Sequence, residues 1–281
     1  VALHFAKAQH QCYALYDADI DHYDPQQIRL MAELRSAIAE DALVLYYQPK
    51  VQLASNAIYG VEALVRWRHP RRGLVPPAEF IPIAEKTSLI DDLTRWEVVA
   101  ALRQAAQWRA AGMPLRIAVN ISARNLQDRN FVQQIMEVLT QMEFEPDQLV
   151  FELTESAIML DPAGAKRKLI ELHQRGVRFA IDDFGTGYSS LSYLRELPVS
   201  QLKIDRSFVA HIAEASSAAI IKGTIDLAHN LGLRVVAEGV EDHATADALR
   251  DMGCDVGQGY YFSRPMPPED LQVWWRQRVR E

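Results

Sequence analysis

The stretch Leu43-Val44-Leu45-Tyr46-Tyr47-Gln48-Pro49-Lys50-Val51-Gln52-Leu53, then Ala54-Ser55-Asn56-Ala57-Ile58, then Tyr59-Gly60-Val61-Glu62-Ala63-Leu64-Val65-Arg66-Trp67 decides the architecture. Its two outer runs are short, apolar or alternating, and read as strands. The five residues between them cannot form the crossover of a dozen or more residues that parallel neighbours need, so the strands must pair as an antiparallel hairpin. Outward from this hairpin, six more strands are expected at Leu115–Ser122, Gln148–Thr154, Val177–Asp183, Gln201–Asp205, Leu233–Gly239 and Asp255–Tyr261. Helical periodicity separates them, at Asp91–Ala111, Asp128–Met142, Ala163–Arg175, Ser216–Leu231, Asp242–Met252 and Pro268–Val279, with a helical turn or two in Ser189–Leu197. Strands alternating with helices give a parallel sheet wrapped in helices. The expected fold is α/β, a (β/α)₈ barrel of the TIM type with its first strand antiparallel to the others.

A chain of 281 residues has room for one large barrel or two ordinary domains. Apolar residues at 49% and charged residues at 24% exclude long disorder, a fibrous repeat and a membrane bundle. Thirty Lys and Arg against 37 Asp and Glu leave a net charge of −7, without the basic footprint of a protein that tracks a nucleic-acid polymer. A small phosphate ligand needs only a local cation. Cys12 and Cys254 are too few for a disulfide framework, and no CxxC pair is present, which fits a reducing compartment. No apolar run approaches the ~18–20 residues that cross a bilayer, and the start lacks a signal-peptide layout. A cytoplasmic fragment without membrane contact is expected, although missing N-terminal regions could anchor the full-length protein. Residues 1–40, which begin without Met and carry helical patterns at Leu3–Gln9 and Gln26–Ile38, read as the tail of a preceding domain plus a helical linker, and residues 41–281 as the barrel.

Barrel enzymes carry their reacting groups at the C-terminal ends of the strands. Here those ends hold Glu62, Asn120, Glu152, Asp182-Asp183, Lys203 with Asp205, Glu238 and Gln258. Each has an ordinary reading when taken singly. Glu152, Glu155 and Asn120 could cap helices, Asp182-Asp183 could form a turn, and Lys203 with Asp205 could be a structural ion pair. Together they crowd carboxylates around one rim, which repel unless cations lie among them. Hard oxygen donors, with no pair of His at helical spacing, favour Mg²⁺ or Mn²⁺ over a closed zinc site. Adjacent aspartates suit a two-metal phosphoryl-transfer centre.

These residues stand in motifs that resemble the bacterial EAL-domain cyclic di-GMP phosphodiesterases. The likeness begins at Tyr47-Gln48-Pro49 and Glu62-Ala63-Leu64-Val65-Arg66-Trp67, and passes through Val119-Asn120-Ile121-Ser122 and Phe151-Glu152-Leu153-Thr154-Glu155-Ser156. It continues in Asp182-Asp183-Phe184-Gly185-Thr186-Gly187-Tyr188-Ser189-Ser190, Leu202-Lys203-Ile204-Asp205, Ala237-Glu238-Gly239-Val240-Glu241 and Gln258-Gly259-Tyr260-Tyr261-Phe262. More weakly, Val1–Asp17 resembles the end of a GGDEF-like domain. The resemblance implies a barrel with one reversed strand and two divalent cations per active site. Glu62, Asn120, Glu152 and Asp182 would hold the first ion; Asp182, Asp183 and Glu238 the second. It further implies that a water between the ions opens cyclic di-GMP to linear 5′-pGpG, with Lys203 holding or deprotonating that water. Arg66 would pair with a substrate phosphate, and Gln48 and Gln258 would contact substrate or support the site. Glu155 would steady the Asp183–Ser190 loop, Asp205 would assist near the second ion, and a homodimer would couple an upstream GGDEF-like or sensory domain to catalysis. The alternative carried alongside is a catalytically silent cyclic di-GMP receptor. A third reading, a glycosidase with paired carboxylates, predicts activity indifferent to chelators.

Overall fold

Nine strands form one sheet in the computed structural model, which describes residues 25–185 and 191–278. They are β1 (Leu43–Gln52), β2 (Ile58–His69), β3 (Gly73–Val75), β4 (Ile117–Asn120), β5 (Leu149–Thr154), β6 (Arg178–Phe184), β7 (Gln201–Ile204), β8 (Arg234–Glu238) and β9 (Val256–Gln258). The strands β2 and β4 to β9 pair in parallel in chain order, and β1 closes the cylinder by pairing antiparallel with both β2 and β9. The barrel therefore has eight strands with the first reversed, as the short connection requires. Its register runs from Leu43↔Trp67 to Lys50↔Gly60, and Asn56 turns the chain with a φ of 58°, a left-handed conformation Asn tolerates.

Alternation along the strands sorts the barrel into two layers. Tyr47 packs outward, edge-on against Trp108 at 4.6 Å, while Phe151 meets Phe131 and Phe179. The buried polar set Gln48, Lys50, Glu62, Glu152, Lys203 and Gln258 lies among residues that are otherwise apolar. These side chains bond to one another, and the helices cover the outer layer.

Several elements differ from the sequence expectation, among them β9, which ends at Gln258 where a strand to Tyr261 is expected. The segment with Pro76, Pro77 and Pro82 forms the helix Pro77–Glu85, because Pro at its first position loses no helical hydrogen bond and burial of Phe80 and Ala84 outweighs the defect at Pro82. Strand β3, too short to show periodicity, extends β2 past the hairpin. Strands β4 and β7 end early because a helix cap follows within two residues, at Ser122 and Asp205. Ser122 and Asn125 form a capping box, and Asp205 accepts from Ser207 N at 3.0 Å. The helix Pro25–Ala39 buries Leu34 and Ala37 in the barrel's own core, and its Glu33 accepts from His69 Nε2 at 3.0 Å. The GGDEF-like reading of residues 1–17 lies outside the described residues.

One buried acid serves no obvious purpose in the rim. Glu97, on the helix Leu89–Ala110, is 5% exposed, and burial, with the Glu62 charge beyond it, lifts its carboxyl from 4.5 to about 8. Since the folded state keeps a proton that the unfolded chain releases, its stability contribution is complete below pH 4.5 and is lost as pH rises through about 8. Glu97→Gln is neutral throughout. Its melting temperature should gain on wild type by several degrees between pH 5 and pH 9; a constant difference across that range would show that Glu97 is not held neutral.

Candidate active site

Strand register brings the acids together. In β2 and β1 Glu62 faces Gln48, in β4 and β5 Asn120 faces Glu152, and in β8 and β9 Glu238 faces Gln258. Asn120 Nδ2 donates to Glu62 Oε1 at 2.8 Å, and Gln258 Nε2 donates to Glu62 Oε2 at 2.7 Å and to Gln48 Oε1 at 3.0 Å. Gln48 Nε2 in turn donates to the Ser263 carbonyl at 3.1 Å. The two glutamines thus act as props for Glu62.

At the centre is Lys203 Nζ. It lies 2.7 Å from Glu152 Oε2, 3.0 Å from Asp182 Oδ2, 2.6 Å from Glu238 Oε1 and 3.6 Å from Glu62 Oε2. Burial alone lowers a lysine pKa, but these four carboxylates outweigh it and hold the ammonium well above its usual range. In this arrangement Lys203 is a donor. Burial also raises Glu62, yet Lys203, Lys50 and the two amide donors bring its carboxyl down to about 2. For Glu238 burial prevails over Lys203, and the carboxyl stands at about 7; burial likewise raises Glu152 and Asp183.

Neighbours on a regular strand point to opposite faces, so Asp182 and Asp183 could not serve one site on an undistorted β6. Asp183 adopts a φ of 52°, its N–H donates to Asp182 Oδ1 at 2.9 Å, and the register with β7 shifts between Ile181 and Phe184. The reversal puts carboxylate oxygens of Asp182, Asp183 and Glu238 within 4.8 Å of one another. Backbone also closes in tightly here. A Cβ on Gly239, at φ 71°, would come 2.6 Å from Arg206 Cβ, and one on Gly259 would come 2.1 Å from the Val240 carbonyl oxygen. Only glycine fits after Glu238 and Gln258.

Beside the acids opens a cavity of about 300 Å³, lined among others by Gln48, Glu62, Arg66, Arg206, Glu238 and Tyr260. Arg66 is half-buried there, with Nη1 donating to its neighbour's carbonyl at 2.8 Å. Two expected site residues stand at helix starts outside this cluster, although the Asp205 charge still reaches Asp183. Asp205 is the cap of the helix Arg206–Val209, and Glu155 opens the helix Glu155–Met159, beside a small groove with Phe184 and Tyr193. Residues 186–190 of the loop that Glu155 is expected to steady lie outside the described residues. Sequence reasoning passed over Lys50, which bonds Glu152 and stands i+2 from Gln48 on β1. It also passed over Arg206, Glu241 and Tyr260 on the cavity wall, the last stacked under Arg264 at 4.1 Å. Tyr260 lies in the turn after β9 ends at Gln258, where strand alternation gives no signal.

The EAL domain family matches residues 31–265. The chain belongs to the EAL family. Among curated relatives of this EAL domain, cyclic di-GMP phosphodiesterase PA2567 of Pseudomonas aeruginosa is 41% identical over 266 residues, covering 94% of this chain and 45% of that protein. The bifunctional diguanylate cyclase/cyclic di-GMP phosphodiesterase MucR of the same organism is 41% identical over 273 residues, covering 96% of this chain and 40% of that protein. The chain therefore spans less than half the length of these two relatives. Among solved structures, the PaMucR phosphodiesterase in complex with c-di-GMP superposes with a TM-score of 0.83 at 43% identity, covering 86% of this chain and 99% of that chain. The FimX EAL domain from Pseudomonas aeruginosa bound to c-di-GMP gives a TM-score of 0.79 at 26% identity, over 84% of this chain and 96% of that one. No helix among the described residues of this EAL domain is long and apolar enough to cross a membrane.

Proposed function

We propose that this EAL domain is a divalent-metal-dependent phosphodiesterase that hydrolyses cyclic di-GMP to linear 5′-pGpG. The reading is carried by the four carboxylates of Glu62, Glu152, Asp182 and Glu238 that surround Lys203 Nζ, and by the oxygens of Asp182, Asp183 and Glu238 within 4.8 Å of one another, beside a cavity of about 300 Å³. The names of the relatives and the c-di-GMP complexes of similar structures support it.

The donor set fits hard dications: Glu62, Asn120, Glu152, Asp182, Asp183 and Glu238 offer only oxygen as ligand atoms, and the Oε1 of Gln258 is buried without a hydrogen-bond donor among the described residues. Glu62, Asn120, Glu152 and Asp182 would hold one Mg²⁺ or Mn²⁺, and Asp182, Asp183 and Glu238 a second. When bound, such ions supply Lewis acidity to a phosphoryl oxygen and acidify water. The chain's own groups do the rest. Arg66 receives a phosphate with its planar fork, Gln48 and Gln258 keep Glu62 aimed, and Lys203 Nζ donates to the attacking water and sets its line of approach. Glu155 and the segment after Asp183 govern whether Asp183 is presented, and Asp205 caps its helix and assists near the second ion, its charge adding to burial and the Asp182 charge in raising the Asp183 carboxyl.

A homodimer and an upstream GGDEF-like or sensory domain belong to the same proposal, the second supported by the greater length of the relatives. Turnover of cyclic di-GMP with Mg²⁺ or Mn²⁺, followed as pGpG, tests the reading directly. Activity should vanish in EDTA and return with excess metal. Tight binding with no pGpG at any metal concentration would make the domain a receptor, and turnover indifferent to EDTA would remove the metal centre.

A further inference from the structure

The cylinder holds a second buried ammonium beneath the first. Lys50 faces Gly60 on β2 and Gln258 on β9, two residues along β1 from the Gln48↔Glu62 pair and so roughly 6–7 Å from it along the strand. Its side chain is 3% exposed. Two lysines divide one carboxylate between them: Lys50 Nζ bonds Glu152 Oε1, and Lys203 Nζ takes Oε2 at 2.7 Å. Glu152 itself is fully buried, out of contact with bulk solvent. Lys203 is shared among four acids, whereas among the described residues Lys50 forms an ion pair only with Glu152.

We propose that Lys50 is a positioning residue for the metal centre, holding Oε1 of Glu152 so that Oε2 alone is presented to a cation. The proposal rests on the metal-dependent reading above. A carboxylate with both oxygens free can swing or chelate through both; one oxygen tied to a buried ammonium fixes its rotamer and its denticity. The charge of Lys50 also offsets the buried Glu152, so that Lys203, which pairs with Oε2 and with three further acids, is not the sole cation facing it. Groups that orient ligands in this way are worth about 10–100-fold in metal affinity.

Calorimetric titration of Mn²⁺ into metal-free protein tests this without reference to turnover. Lys50→Met should weaken binding by about 10–100-fold per folded molecule, and Lys50→Gln, which keeps an N–H donor for Glu152, should recover part of the loss. A purely structural ion pair would lower the melting temperature of Lys50→Met and leave the Mn²⁺ affinity within about two-fold of wild type, and that result overturns the proposal. If wild type takes up no Mn²⁺, the metal-dependent reading fails first, and Lys50 with it. Should the variants not fold, a crystal structure of the wild-type protein with Mn²⁺ decides. Glu152 binding through Oε2 with Oε1 still on Lys50 supports the assignment, and a chelating Glu152 or a Lys50 turned elsewhere rejects it.

Discussion

Lys203→Met should slow hydrolysis of cyclic di-GMP by about 10²–10⁴-fold, the range for removing a positioned proton-handling group, while leaving divalent ions bound. The structure adds a second consequence that does not depend on turnover. Lys203 is 1% exposed and is the common partner of Glu62, Glu152, Asp182 and Glu238, so its loss strands several buried carboxylates. Breaking one buried pair costs about 3–5 kcal/mol. Carboxyls stranded in this way have raised pKa values, so the stability they lend is present at low pH and lost as pH rises. The metal-free variant should therefore melt well below wild type at pH 8, converge towards it at pH 5, and recover when Mg²⁺ or Mn²⁺ is added. A metal-free variant as stable as wild type at pH 8 would mean that Lys203 does not offset the rim acids. Loss of metal binding in place of slowed turnover would reassign Lys203 from the water to the support of the ligands.

Glu62→Ala should abolish turnover by a different route. With its carboxyl at about 2, Glu62 is ionised throughout the working pH range and offers a full negative charge at the point where Asn120 and Gln258 aim it. Losing several kcal/mol of metal-borne stabilisation corresponds to a rate loss of at least about 10³-fold, and Mn²⁺ affinity should fall in the same titration. The fold should survive, since the truncation removes one member of a crowded set of like charges; circular dichroism and the melting curve check that. Wild-type turnover in Glu62→Ala would remove Glu62 from the ligand set.

The legible and illegible parts of this protein divide along physical lines. Periodicity within single segments is local, and so the strands, the main helices and the reversed β1 could be read from the chain. The helix Pro77–Glu85 could not, because three prolines argue against it locally while the burial of Phe80 and Ala84, which depends on the barrel wall, decides for it. The strand β3 is three residues long, below any period. At the rim, residue type and strand-end position nominated Glu62, Asn120, Glu152, Asp182, Asp183 and Glu238, because acids at such ends are chemically conspicuous. Lys50 was passed over because a lysine on an alternating strand looks the same whether it faces water or a buried carboxylate. Asp205 shows the converse, since alternation carries a strand through Asp205 but cannot see that the side chain turns back to cap Arg206–Val209.

The amino-acid sequence by itself determined the order and direction of the strands and the excess of oxygen donors at their ends, because connection length and side-chain chemistry are properties of short stretches. Only the tertiary structure decided how those donors face one another. It set the left-handed turn at Asp183 that brings two adjacent aspartates to one side, the four carboxylates that hold Lys203 charged, and the sharing of Glu152 between two ammoniums. Each depends on atoms brought together from distant parts of the chain in a space that excludes water, and Coulomb forces there are set by distance and burial, which no local pattern encodes.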